Sequence, residues 1–132
     1  MNIHHIGIIT DDLEASAAMY ESLGGRGLYV RESDIIRDDI QHNDILFLKN
    51  TSSGERIELI APYCEKSSVN TAKRGLAHIC YEVPNLDDAV LEISRQKLGK
   101  AFTKTLCAPA LNNRRIIFLF MKDKTVIELV EK

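Results

Sequence analysis

Internal duplication governs the reading of this sequence. A strand–helix pattern that opens at residue 3 opens again 73 residues later, and a chain written twice folds as two copies of one unit. Segment 3–9, IHHIGII, is rich in β-branched residues and predicts a strand. Asp11 stands three residues before Glu14, the spacing of a helix cap. Leu13, Ala17 and Tyr20 then recur at i, i+4 and i+7, the stripe of an amphipathic helix, and Gly24-Gly25 ends it. In the second copy LAHICYEV (76–83) is the strand, Pro84-Asn85 breaks it, Asn85 is the candidate cap, and Leu86, Val90 and Ile93 form the stripe. His5 and His78 are related by the same offset as the two helical stripes.

The later parts repeat as well. ILFLKNTSSGERIELI (45–60) matches IIFLFMKDKTVIELV (116–130), one residue shorter, and each predicts a hairpin whose second strand carries Ile-Glu-Leu. Shorter strands are expected over about 27–32 and 101–106. Each half is therefore strand–helix–strand–strand–strand, joined by a polar surface link at about 61–74 (APYCEKSSVNTAKR). The expected fold is α+β: two tandem βαβββ modules, about 1–60 and about 75–132, in a single domain of 132 residues.

That length buries roughly two-thirds of the unfolded surface, so neither disulfide nor structural metal is needed merely to fold. With 45% hydrophobic and 27% charged residues the composition is that of a globular protein. Seventeen basic against nineteen acidic residues give a net charge of −2, without the basic footprint of a nucleic-acid binder. No apolar run approaches the ~20 residues that span a bilayer, and the N-terminus has no signal-peptide pattern. Cys64, Cys80 and Cys107 are an odd set without C-x-x-C spacing, expected as buried thiols in a reducing, cytoplasmic compartment.

Each half places one His in its first strand and one Glu in its last: His5 and Glu58, then His78 and Glu128. Imidazole with carboxylate is the ligand set of zinc, cobalt, nickel or iron, and four protein ligands on an octahedral ion leave two positions open for substrate oxygens. Singly, His5 or His78 also reads as a hydrogen-bonded strand histidine, and alternation could place Glu58 in water. Glu128 lies in a stretch, Thr125 to Val130, that is otherwise apolar or β-branched on both faces, so its carboxylate is expected to be partly buried and to need a partner. His4 points to the opposite strand face from His5, and His42 is expected at the surface.

The repeat with H…E…H…E resembles the vicinal oxygen chelate superfamily: glyoxalase I, methylmalonyl-CoA epimerase, extradiol dioxygenases and bleomycin-resistance-type binding proteins. Its strongest segments are HHIGIITDDLEASAAMYESLG, RIELIAP, GLAHICYEVPNLDDAV and IIFLF…TVIELVE. The resemblance implies an open curved sheet around one divalent ion held by His5, Glu58, His78 and Glu128, an ion of the cobalt, zinc or nickel kind whose identity the sequence does not name. GLAHICYEV followed by the N-L-D-D-A-V helix looks closest to methylmalonyl-CoA epimerase. The turn Met121-Lys122-Asp123-Lys124 departs from the D-P-D-G-like turn usual in glyoxalase I.

The activity so implied is removal and return of a proton next to an acyl thioester, with Glu128 as ligand and base and a small-molecule substrate such as an acyl-CoA. The epimerases carry a second carboxylate just before the third strand. That position falls at about Ile40, beside Asp38 and Asp39, which also read as a solvated loop pair. In the family the loop before the seventh strand approaches the substrate, so Arg114 or Arg115 is a candidate for pairing with a substrate anion or is an ordinary surface arginine. The alternatives are a glyoxalase I-type lyase and a non-catalytic small-molecule binding protein in which the four residues are relics. By resemblance the chain is expected to be a homodimer, with no nucleic-acid or membrane partner.

Overall fold

A computed structural model describes residues 1–25 and 27–132. The chain divides into two compact units, His5–Ala77 and Met1–His4 with His78–Lys132. The first contains β1 (Asn2–Ile9) from His5 onward, α1 (Leu13–Ser22), β2 (Tyr29–Arg31), β3 (Ile36–Asp38), β4 (Asn43–Asn50) and β5 (Arg56–Pro62). The second contains β6 (Gly75–Val83) from His78 onward, α2 (Leu86–Arg95), β7 (Gly99–Ala101), β8 (Leu106–Ala108), a 3-10 turn (Pro109–Leu111), β9 (Arg114–Met121) and β10 (Val126–Glu131).

Each unit builds the same mixed sheet with one helix against one face. In the first the strand order is β2-β4-β5-β1, with β3 also on β4; in the second it is β6-β10-β9-β7, with β8 on β9. First and last strands of each module pair in parallel, Gly7 opposite Glu58 and Cys80 opposite Glu128, while the hairpins β4–β5 and β9–β10 are antiparallel. The parallel pairs require a long connection, which the helix supplies. The α+β fold of two βαβββ modules is thus the one expected from the repeat.

The helix stripes pack as their spacing predicts. Leu13 and Ala17 join Leu46, Leu48, Ile57 and Leu59 in one core, with Tyr20 against it; Leu86 and Ile93 join Val83, Ile117, Leu119 and Leu129 in the other, with Val90 against it. Asn85 caps α2 by accepting from the Asp88 amide at 2.9 Å. The cap of α1 is Asp12, not Asp11: its side chain accepts from Ala15 N at 3.0 Å. Asp11 instead takes Arg74 Nε at 2.9 Å. After α1, Gly24 and Gly25 adopt φ +69 and +94, the left-handed region expected of them.

The short strand of each module is the main departure. The range 101–106 is not one strand: β7 ends at Ala101 and β8 begins at Leu106, both paired to β9. Between Ala101↔Leu119 and Leu106↔Ile116, residues 102–105 face only Ile117 and Phe118, so the edge bulges. The first module repeats this with residues 32–35 facing Leu46 and Phe47, and the range 27–32 catches only β2, leaving β3 beyond it.

Candidate metal centre

In the first module parallel pairing sets Gly7 beside Glu58, so His5, two residues before Gly7, shares a sheet face with that carboxylate. The opposite face carries Ile57 and Leu59 into the core beneath α1. His5 is fully buried and Glu58 is 7% exposed, and His5 Nε2 lies 3.4 Å from Glu58 Oε1. The position of Glu58 in water that alternation alone permitted is therefore not adopted.

The second module repeats the construction. Cys80 pairs with Glu128, His78 precedes it by two residues, and His78 Nε2 lies 3.1 Å from Glu128 Oε1. His78 is 8% and Glu128 3% exposed. Ile127 and Leu129, on either side of Glu128, point to the core under α2. Sequence reasoning placed Glu128 in a partly buried setting, and it is among the most buried charged groups of the chain.

The donor chemistry fits a mid-row divalent ion. Metal bonds to imidazole nitrogen or carboxylate oxygen are about 2.0–2.2 Å, so two adjacent ligands of one octahedral or tetrahedral ion stand about 2.8–3.6 Å apart. Both His–Glu separations fall in that interval. Each module thus offers one imidazole and one carboxylate, buried side by side, as possible metal donors: His5 with Glu58, and His78 with Glu128. Imidazole nitrogen beside carboxylate oxygen favours zinc, cobalt or nickel over calcium.

Two phenylalanines that the sequence did not mark stand against His5 and His78. Phe47 meets His5, and Phe118 meets His78, each with ring centroids 5.4 Å apart and interplanar angles of 75° and 89°. The signal was present in the aligned hairpins ILFL and IIFL, where both occupy the third position.

The other candidates are occupied elsewhere. Asp38 is 3% exposed; its Oδ1 accepts from the Ile40 and Gln41 amides at 2.9 Å each and its Oδ2 from Gln41 Nε2. Asp39 accepts from the Tyr63 hydroxyl at 3.1 Å. That hydroxyl also meets His42 Nδ1 at 3.2 Å, so His42 is a half-buried turn residue and not a free surface one. Arg114 donates to Glu82 Oε2 at 2.6 Å and to the Glu131 carbonyl at 2.7 Å, while Arg115 bonds Glu131 and Asp87. Both arginines already clasp carboxylates of their own module. The Arg114 guanidinium holds the Glu82 carboxyl below its ordinary range by hydrogen bonding and charge. Of the cysteines only Cys80 is buried; Cys64 is half-buried and Cys107 exposed, because the short β8 at the sheet edge leaves its outward face uncovered. No helix among the described residues is long and apolar enough to cross a membrane.

The chain is 28% identical over 130 residues to ethylmalonyl-CoA/methylmalonyl-CoA epimerase of Cereibacter sphaeroides, covering 92% of this chain and 89% of the relative. It is 29% identical over 136 residues to YwkD of Bacillus subtilis, a protein of uncharacterised activity, covering 99% and 97%. The crystal structure of methylmalonyl-CoA epimerase from Mycobacterium tuberculosis superposes with a TM-score of 0.79 at 25% identity, over 98% of this chain and 87% of that one. The Glyoxalase/Bleomycin resistance protein/Dioxygenase superfamily model matches residues 4–118, and with its duplicated modules and buried His–Glu pairs the chain belongs to that superfamily.

Proposed function

We propose that this chain is a metal-dependent isomerase that removes and returns the proton α to an acyl thioester, as the methylmalonyl-CoA epimerases do. The observation that carries this reading is the buried His–Glu pair built twice, on equivalent strands, in a chain whose curated relatives include such an epimerase. His5, Glu58, His78 and Glu128 would hold one divalent ion. Bound there, the ion would act as a Lewis acid on a substrate carbonyl. Glu128 is the assigned base: burial among apolar neighbours keeps bulk water from its carboxylate, and its strand fixes it beside His78. The apolar residues flanking the ligands exclude solvent from the proton being moved. The substrate class is an acyl-CoA, the assembly a homodimer and the compartment the cytoplasm.

One observation favours a second reading. The carboxylates near the expected second-base position are both engaged, Asp38 by its own turn and Asp39 by Tyr63, and Ile40 between them and Gln41 has none. A proton transfer that needs no such second carboxylate, including a glyoxalase I-type lyase reaction, accommodates this.

The test begins with metal content. Wild-type protein should bind about one divalent ion per chain by elemental mass spectrometry, and Glu128→Gln should bind less. Loaded wild type in deuterated water should exchange the α-proton of methylmalonyl-CoA, and Glu128→Gln should not. Thioester formation from methylglyoxal and a thiol, without that exchange, would select the lyase. Ligand binding with no turnover and no metal requirement would leave a binding protein.

A further inference from the structure

The two bulges lie at the phenylalanines that touch the ligand histidines. In the first module the Phe47 carbonyl accepts from Glu32 N at 2.9 Å, and its amide donates to Ser33 Oγ at 3.4 Å. In the second the Phe118 carbonyl accepts from Phe102 N at 3.1 Å, and its amide donates to Thr103 Oγ1 at 3.1 Å. A bulge removes the ladder carbonyl that would otherwise accept this amide. A side-chain hydroxyl replaces it, at the same place in both halves. The arrangement recurs although the residues around it differ, Glu32-Ser33-Asp34-Ile35 in one module and Phe102-Thr103-Lys104-Thr105 in the other.

What both copies keep is the chain of contacts from hydroxyl to phenylalanine amide to phenylalanine ring to histidine ring. Rotation about the outer side-chain bond of a histidine sets the direction in which its Nε2 points. An aromatic ring packed edge-on at 5.4 Å restricts that rotation. We propose that Phe47 and Phe118 are positioning residues that fix the ring planes of His5 and His78, and that Ser33 and Thr103 hold them in place from the bulges. This rests on the metal-centre reading above. It extends that centre to a supporting layer on the edge strands.

The probe is Co2+ alone, added to wild type, Thr103→Val, Phe118→Leu and Phe120→Leu. Thr103→Val keeps the β-branched shape and removes the acceptor. Phe120 is a control on the same strand face, 48% exposed. Dissociation constants come from competition with a chromophoric chelator, and ring orientation is read from the visible d–d spectrum of the saturated protein. Thr103→Val and Phe118→Leu should bind Co2+ about tenfold more weakly and change the band shape, while Phe120→Leu matches wild type. Folded variants, judged by circular dichroism, that match wild type in both affinity and spectrum overturn the proposal. If Phe118→Leu does not fold, Thr103→Val decides alone. A wild type that binds no Co2+ overturns the metal centre and this layer together; binding with unaffected variants overturns only the layer.

Discussion

Replacing Asp38 separates a turn-former from a base. Its Oδ1 receives two backbone amides, Ile40 and Gln41, at 2.9 Å, in a residue only 3% exposed. A hydrogen bond to a charged acceptor is worth about 1.5–3 kcal/mol, and partial access of water to the released amides favours the lower figure, so Asp38→Ala should cost about 3 kcal/mol. With a urea slope of about 2 kcal/mol per M, the midpoint falls by about 1.5 M. Asp38→Asn keeps a neutral acceptor and should lose about 0.5 M at the same slope. Urea titration followed by circular dichroism measures both, and α-proton exchange by metal-loaded Asp38→Asn should stay within about twofold of wild type. A midpoint for Asp38→Ala within about 0.3 M of wild type would refute the structural role. A drop in exchange of about a hundredfold or more in Asp38→Asn would make Asp38 a base after all.

Other outcomes follow from the packing and charges. Leu86→Ala and Leu129→Ala, both fully buried, should each cost about 2–5 kcal/mol in the same titration, whereas Leu91→Ala, 68% exposed, should stay within about 0.5 kcal/mol. Gly99→Ala should destabilise by about 1–3 kcal/mol, because the new Cβ would stand 2.9 Å from the Phe120 carbonyl and 2.7 Å from Met121 Sδ. The sulfur can move; the sheet carbonyl cannot. Arg114 depresses the Glu82 pKa in the fold, so this pair contributes fully above the ordinary carboxyl value of 4.5 and the contribution is lost as pH falls through the lowered pKa. Unfolding midpoints at neutral and acid pH should therefore converge for wild type and Glu82→Gln as pH drops below that value.

The repeat made the modules legible because the same apolar spacing had to serve two separate cores, and both helix stripes pack as read. The equivalent placement of one His and one Glu in each half was legible from the same repeat; that their strands pair in parallel was shown only by the fold. The edges were not. Bulges at Phe47 and Phe118 depend on two extra residues and a hydroxyl, features that no apolar period records. The cap of α1 moved one residue because Arg74, distant in sequence, takes Asp11 and leaves Asp12 for the helix. Arg114 and Arg115 look available in sequence; only the fold brings Glu82, Glu131 and Asp87 to them.

The parallel pairing of first and last strands also bears on kinetics. Within each module the partners of that pairing are separated by nearly the whole module, whereas the hairpins close over a few residues. Loop-closure entropy and the slow formation of non-local pairs put hairpins first and the parallel seam last. Each histidine thus meets its glutamate only on completion of its module, so the buried His–Glu pair is the last part of each unit to be assembled.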